Sequence, residues 1–450
     1  MNTRTLQFVR EICPGEPQGW DDTLPFTRVC TDTRAIEAGD LFIALRGDQF
    51  NGNQFAADAL TIGAVAALVD EPIENLSPSL LVNDARCALG QLAAAHRQAH
   101  DISVIAVAGS NGKTSTKEML AAILRESGAT LHSPASFNND IGVPLTLLQL
   151  SEAHRAAVVE LGTNHPGELA PLVKISSPTH GILTGIGREH LEHFGDLTGV
   201  AQEEGVLGEL LPESGKLFLY GDGPWVKALV ERSQAEVITA GFGPTNDWRV
   251  ETVRLMEEGT VFTIKTPEAE WCGEYRAPLL GKPQAGNAAL ALAAACAVGV
   301  NPAKARKGLA ESQVPAMRMQ WQEAGGVRWL NDAYNANADS ILAALTTLAE
   351  LDCRGQRIAV IGAMAELGEH TAEAHAEAGA AAAALDGLLA VGKHAEVTAE
   401  SARRAGLERV ATAADVDEAI AALRDWVAPG DVVLLKASRA ARLDEVLRQF

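Results

Sequence analysis

The chain has little positive charge to spare: 37 Lys and Arg stand against 58 Asp and Glu, a net −21 at pH 7. Such a chain lacks the basic stripe that a nucleic-acid groove requires, so no nucleic-acid partner is expected. It also lacks an apolar run of the roughly 18–20 residues needed to cross a bilayer. The longest such run, residues 288–300, is shorter and Ala-rich, and is expected as a buried helix. The N-terminal stretch MNTRTLQFVREICPGEP has no uninterrupted apolar core and no small-residue cleavage site, which argues against export. Cys13, Cys30, Cys87, Cys272, Cys296 and Cys353 are dispersed without a C-x-x-C pair, which removes a zinc knuckle or redox motif and predicts reduced thiols in a cytoplasmic protein. There is no internal repeat and no disordered low-complexity tract; the alanines at 380–384 are strong helix formers.

What is present is an ordinary globular composition, 47% hydrophobic and 21% charged over 450 residues. At roughly 100–200 residues per domain, this length predicts about three domains. Short apolar runs alternate with polar turns over residues 26–68, and a helical pattern follows at 85–99, together reading as a small α/β module that ends near residue 100. From there strand and helix patterns alternate: a buried-strand run at 102–108, a helix at 115–127, then strands at 156–161, 181–185 and 216–220. Alternation of this kind predicts a doubly wound, mainly parallel sheet. Alternating segments at 248–255 and 260–266 read as hairpins before a helix starting near Gly286. A third α/β unit, Rossmann-like, begins near residue 314, with strands at 327–330, 357–362, 388–391 and 431–436 and a terminal helix. The predicted class is therefore α/β in three domains, 1–100, 101–313 and 314–450.

The sharpest chemical signal is Gly109-Ser110-Asn111-Gly112-Lys113-Thr114, between a buried strand and a helix. The glycines let backbone N–H groups turn inward as an anion nest, and the helix N-terminus adds positive potential. Lys113 would reach terminal phosphates and Thr114 would offer its hydroxyl to magnesium. Val107 stands where the full P-loop pattern has glycine, so the motif is a shortened one; a plain glycine turn is the alternative. Glu160, at the C-terminal end of the next strand, lies where ligands gather in open α/β sheets and is either a magnesium ligand or a solvated strand end. Arg188-Glu189-His190-Leu191-Glu192-His193-Phe194-Gly195 offers a second metal site or proton carrier, or a polar loop. Residues 331–337 gather amides, a carboxylate and a phenol in what is equally a turn, and 436–439 carry cations that either close onto phosphates or cap a surface helix.

Taken together, the chain resembles the Mur ligases of bacterial cell-wall synthesis from end to end, most closely the branch that adds D-Ala-D-Ala. The marks are Thr31-Asp32-Thr33-Arg34 and residues 39–47; the shortened P-loop, residues 138–144 and the Glu160 segment; and residues 334–337, Met364-Ala365-Glu366-Leu367-Gly368 and 436–439. The resemblance implies a domain for a UDP-sugar, one for ATP and a mobile one that completes the site. It implies transfer of the ATP γ-phosphoryl group to the carboxylate of UDP-MurNAc-tripeptide, then attack by the amine of D-Ala-D-Ala, with ATP and Mg2+ required. Carried over by position, Gly109, Ser110, Asn111, Gly112, Lys113 and Thr114 would hold the phosphates, and Thr114, Glu160 and His190 the metal ions. Asn287, Arg318, Asp332, Tyr334, Asn335 and Asn337 would meet the nucleotide. Thr33, Arg34, Arg46 and Gly47 would serve the UDP end, and Asn138, Asn139, His165, Lys436, Ser438 and Arg439 the rest of the substrates. A monomer is expected.

The departures are as informative. Where the family usually has a lysine that is carbamylated to supply a carboxylate, residues 200–205 place Glu204, which is expected to take over that role with a shorter side chain. Pro283-Gln284 precede Gly286-Asn287, Ala363 stands where an acidic residue is usual, and Ala437 where glycine is usual. These leave open a degenerate paralogue that binds nucleotide or UDP-sugar without ligating. A sister ligase that adds a single amino acid and a P-loop kinase that stops at phosphoryl transfer remain the enzymatic alternatives.

Overall fold

The computed structural model describes residues 3–47 and 49–450; residues 1, 2 and 48 of the expected first domain lie outside the described residues. Three large sheets follow one another along the chain, beside two two-stranded ribbons in the first unit, Arg4–Thr5 with Pro25–Phe26 and Arg46–Gly47 with Phe50–Asn51. The first has five strands in the order Gly15–Gln18, Ser79–Val82, Ala66–Val69, Asp40–Ile43 and Arg28–Cys30, parallel except at the Gly15–Gln18 edge. The second has nine strands: Thr130–His132, Ala156–Glu160, Ser103–Ala108, His180–Leu183, Lys216–Tyr220, Glu236–Gly241, Trp248–Met256, Gly259–Lys265 and Gly273–Ala277. Its first seven strands are parallel and its last two pairings antiparallel. The third runs Gln320–Ala324, Val327–Asp332, Val432–Lys436, Arg357–Ile361, Gly387–Val391 and Val410–Ala413, with only its first pairing antiparallel.

The central sheet places the chemistry. From Ser103–Ala108 the chain winds outward through Thr130–His132 and Ala156–Glu160, then returns to the opposite side as His180–Leu183. The loop after residue 108 therefore opens at the switch point, flanked by the carboxyl ends of both neighbouring strands, where a crevice forms. The apolar, β-branched sequence SVIAVA suits a strand covered on both faces, and Val104 to Ala108 are buried. On one face lie the helix Lys113–Arg125 and the Ala-rich helix Lys282–Ala297, buried from Ala285 to Ala295. The run expected as a buried helix at 288–300 is helical and buried up to Ala295, with the helix ending at Ala297, and among the described residues no helix is long and apolar enough to cross a membrane. The third neighbour, Pro302–Ala310, reaches the helix Lys113–Arg125 at Gly308, where a Cβ would stand 2.7 Å from Ile123 Cα.

Three local expectations shift. The helix expected from 115 starts at Lys113, because the turn ends in Gly112 at φ +88° and the first helical turn begins at once. An edge strand, Thr130–His132, was hidden in a stretch too short to show alternation. The chain ends not in an α-helix but in the 3-10 segment Leu443–Gln449.

The first and central units are stitched by a buried cation. Arg97, near the end of helix Ala85–Gln98, donates to Ser176 O at 3.2 Å, Ser177 O at 3.1 Å and His100 O at 2.8 Å. It thereby serves carbonyls at the end of helix Leu169–Ser176 that have no partner within their own helix. Arg97→Met keeps bulk but removes those donors, and denaturant unfolding is expected to show a loss of about 2–4 kcal/mol. A midpoint equal to wild type would show that water replaces the guanidinium.

Candidate active site

The loop Gly109–Gly112 is built on two left-handed glycines, Gly109 at φ +112° and Gly112 at φ +88°. A Cβ on Gly112 would lie 2.6 Å from the Asn287 amide, and one on Gly109 2.6 Å from Thr184 Oγ1. Only glycine lets the turn pack this tightly against its walls. Ser110 pins the turn to the neighbouring strand end: its N–H donates to Gly185 O at 2.9 Å, and its hydroxyl accepts from the Gly187 N–H at 2.8 Å. Asn287, which itself donates to Gln284 Oε1 at 3.2 Å, thus stands against the loop.

Three buried carboxylates surround Lys113. Its ammonium donates to Gly109 O and stands 3.3 Å from Glu189 Oε2. Burial alone would push this ammonium's pKa down, but Glu189, Glu204 and Glu160 hold it above the ordinary lysine value. Glu204, in helix Leu197–Leu210, accepts the Gly109 N–H at 2.8 Å through Oε2. Burial pushes its carboxyl up to about 8 against the pull of Lys113, and Glu189 adds to the rise. Glu160 accepts from Asn138 Nδ2 at 3.0 Å through Oε1, while Oε2 lies 3.6 Å from the ammonium of Lys117. Thr114, buried, faces Ser136 Oγ at 3.4 Å.

One oxygen on each carboxylate, Glu160 Oε2, Glu189 Oε1 and Glu204 Oε1, is buried with no hydrogen-bond partner. Leaving such atoms unpaired is costly. Three carboxyl groups with unpartnered oxygens thus lie beside the glycine turn, with Lys113 and Lys117 as the nearby countercharge. That donor set fits a hard divalent cation. No closed cage of three or more ligands exists among the described residues, and magnesium needs none, because it is commonly held by one or two carboxylates together with substrate phosphates and water.

The third unit reaches this crevice. Asn337, which caps helix Ala338–Glu350, donates through Nδ2 to Asn111 Oδ1 at 2.9 Å. Arg318 donates to Ser136 Oγ at 3.3 Å while its guanidinium lies 4.2 Å over the Tyr334 ring. Met317 and Met319, on either side of it, both hold positive φ, a strained conformation of the sort found at ligand clamps. Arg188 of the central unit binds Asp339 and Glu377 at 2.8 and 2.6 Å.

Other expected residues stand differently. His190 turns its Nδ1 to Glu366 of the third unit, with none of its hydrogen bonds going to Glu160 or Lys113. Asp332 pairs with Lys436 at 2.6 Å, and Lys436 also donates to Asn335 O at 3.1 Å, so both charges are held within the third sheet. Ser438 is buried with its N–H on Ala363 O, and Arg439 pairs with Asp444 at 3.1 Å. Asn139 Oδ1 accepts from the Gly142 N–H at 2.8 Å, starting the helix Gly142–Leu147. His165 pairs with Glu168 at 3.0 Å and lies against the His193 ring. In the first unit Thr33 and Arg34 share a 3-10 turn, with Arg34 on Asp32, while Arg46 binds Asp70 and Gly47 packs on Phe50.

Sequence reasoning passed over Lys117 and Ser136 at the crevice, and named Glu189 only as part of a cluster. Lys117 follows Lys113 by four positions, the spacing that puts both on one helix face. Glu189 adjoins His190, and Ser136 lies just before the paired asparagines. Of the adjacent pair, the structure assigns Glu203 to the start of helix Leu169–Ser176, where it accepts the Leu169 N–H at 2.7 Å, and gives the P-loop to Glu204.

Known proteins carry the same features. Residues 25–97 match the model of the Mur ligase family catalytic domain, 107–295 that of the Mur ligase middle domain, and 317–439 that of the Mur ligase glutamate ligase domain. A protein of Escherichia coli K12 named UDP-N-acetylmuramoyl-tripeptide–D-alanyl-D-alanine ligase is 38% identical, covering 99% of this chain and 97% of its own. The crystal structure of MurF from Acinetobacter baumannii superposes with a TM-score of 0.92 at 29% identity, covering 100% and 98% of the two chains. MurF ligase from Thermotoga maritima in complex with ADP gives 0.83 at 27% identity, covering 94% and 96%. With three family models matched in order along one chain and more than a third of its residues shared end to end with a curated member, this protein belongs to the Mur ligase family.

Proposed function

We propose that the chain joins D-Ala-D-Ala to UDP-MurNAc-tripeptide with hydrolysis of ATP to ADP and phosphate, an amide-forming step in making the peptidoglycan precursor. The observation that carries this reading is the ring of Glu160, Glu189 and Glu204 around Lys113, on a chain alike over its full length to proteins of that name. ATP and free thiols, which all six cysteines are, fit a cytoplasmic setting.

The chemical problem is to bring a carboxylate against a triphosphate, two anions, and then to keep water from the activated acyl group. The N–H groups of the Gly109–Gly112 turn and Lys113 bind the phosphates. Thr114, Glu160 and Glu204 would hold magnesium, which when bound supplies positive charge to the transferring phosphoryl group. A carboxylate oxygen of the tripeptide forms a bond to the γ-phosphorus as the bond to ADP breaks, giving an acyl phosphate. The amine of D-Ala-D-Ala then bonds to the acyl carbon, phosphate leaves with the C–O electron pair, and the nitrogen gives up its proton. Lys113 faces the negative charge in both steps.

Closure of the third unit serves water exclusion. Asn337 on Asn111, Arg188 between Asp339 and Glu377, and His190 on Glu366 hold the third unit against the P-loop. Within it Arg318, stacked on Tyr334, is directed to the nucleotide, while Asp332, Asn335 and Lys436 shape the turn that carries Asn337. Asn138 and His165 are assigned to the peptide-bearing substrate, and Thr33, Arg34, Arg46 and Gly47 to its UDP end.

Purified protein with ATP, magnesium and UDP-MurNAc-tripeptide is expected to release ADP in a manner dependent on D-Ala-D-Ala, and mass spectrometry should find the UDP-MurNAc-pentapeptide. ADP release without an amide product would instead mark a kinase, and binding without turnover a degenerate paralogue. Glu204→Gln keeps an acceptor for Gly109 N–H but can no longer ionise to meet a cation. It is expected to lower turnover at saturating magnesium by about 10- to 100-fold, the usual cost of a disturbed metal environment. Unchanged turnover would reduce Glu204 to a support for the loop.

A further inference from the structure

The helix Lys113–Arg125 carries a second lysine that the ligase chemistry above does not use. Lys117 is wholly buried, with zero solvent exposure. Taking an ammonium out of water costs several kcal/mol, and a leucine or methionine would fill the same helix position without that cost. The charge must therefore be compensated locally, and its partners show what it organises. Its ammonium donates to Ser133 O at 2.8 Å and to Ala135 O at 2.5 Å, and meets Glu118 Oε1 at 3.0 Å. Ala135 sits at φ +45°, a conformation that a residue with a Cβ adopts only when its surroundings hold it there.

The segment so held, residues 133–140, touches all three units. Ser133 Oγ accepts the Glu160 N–H at 3.0 Å, and Asn138 Nδ2 donates to Glu160 Oε1. Ser136 Oγ lies between Thr114 of the P-loop helix and Arg318 of the third unit. Asp140 accepts from Arg86 of the first unit at 3.0 Å. The Asn138 carbonyl takes the Gly162 N–H, and a Cβ on Gly162 would stand 2.5 Å from the Asn138 amide, so the segment has no slack on that side.

We propose that Lys117 is a positioning residue for the acceptor substrate: it fastens the 133–140 segment to the P-loop helix, so that Asn138 and its neighbours meet the UDP-MurNAc-tripeptide at a fixed distance from the phosphates. Its ammonium acts through the main chain of that segment and touches no substrate itself. The identity of the ligand rests on the ligase reading above; the role of Lys117 in holding the segment does not.

The test is Lys117→Met, with two ligands titrated separately by calorimetry and with amide hydrogen exchange. UDP-MurNAc-tripeptide, added without nucleotide or metal, is expected to bind about tenfold or more weakly, the equivalent of losing one well-placed polar contact. ADP with magnesium should bind within about threefold of wild type, because the Gly109–Gly112 turn keeps its own walls. Amides of residues 133–140 should exchange faster while those of helix Lys113–Arg125 stay protected. Unchanged tripeptide affinity, or an equal loss for both ligands with exchange rising throughout the helix, overturns the proposal. If Lys117→Met fails to fold, Lys117→Met with Glu118→Gln removes the ammonium together with the carboxylate it meets at 3.0 Å and is read by the same exchange and tripeptide criteria. Should the wild-type protein itself not bind UDP-MurNAc-tripeptide, the ligase reading falls, and the exchange pattern alone then upholds or sinks the role of Lys117.

Discussion

The structure depends on balancing buried negative charge at the mouth of the central sheet. Glu160, Glu189 and Glu204 come from a strand end, a loop and a helix, yet all act on the single ammonium of Lys113. Unpaired, each would carry a desolvation cost of several kcal/mol. Lys113 and Lys117, four residues apart on one helix, supply the countercharge, and the N–H of Gly109 supplies a further donor to Glu204. The carboxyl oxygens left without a partner are what suit the crevice to a divalent cation.

Docking of the third unit draws on two unequal contributions. Leu191 and Phe194 of the central unit are buried in a cluster with Met364, Leu367 and Leu330 of the third. Burying side chains of that size is worth roughly 1.5–3 kcal/mol each. The partly exposed pairs of Arg188 with Asp339 and Glu377 contribute roughly 0–1 kcal/mol apiece. Apolar contact therefore holds the units together, while the ion pairs and the Asn337–Asn111 bond fix how they are oriented. That division suits a site that must shut tightly but in a single register, since misplacement by even 1 Å can cost about 100-fold in rate.

The parts of the site legible from the residues were those written in contiguous chain. A strand of β-branched residues, a turn of two glycines and a helix opening on Lys113 form one local unit, and it folds as its letters require. Glu160 was legible for the same reason, as a charge at the end of an apolar run. Lys117 was not, because a lysine in an amphipathic helix ordinarily reads as solvated, and only burial on all sides shows otherwise. His190 was legible as a polar group soon after an apolar strand, but the pairing of its Nδ1 with Glu366 across the unit boundary was not, because that partner lies 176 residues away in the chain.

By itself the sequence determined the class of fold, the glycine turn that opens on Lys113 and the order of the three units, since these follow from periodicity, turn chemistry and the conformational freedom of glycine over a few neighbouring residues. Tertiary structure decided how two adjacent glutamates divide, since Glu204 was expected at the site but Glu203 had no assigned place. Glu204 meets Gly109 across 95 residues of chain, while Glu203 closes a helix start 34 residues away. It also decided that Asp332 and Lys436 pair with each other rather than standing free, and that Lys117 anchors a segment touching all three units. The physical reason is that a charge buried far from water takes its partner from whatever packing brings within about 3–4 Å, and that distance is set by the assembled sheets and helices rather than by neighbours in the chain.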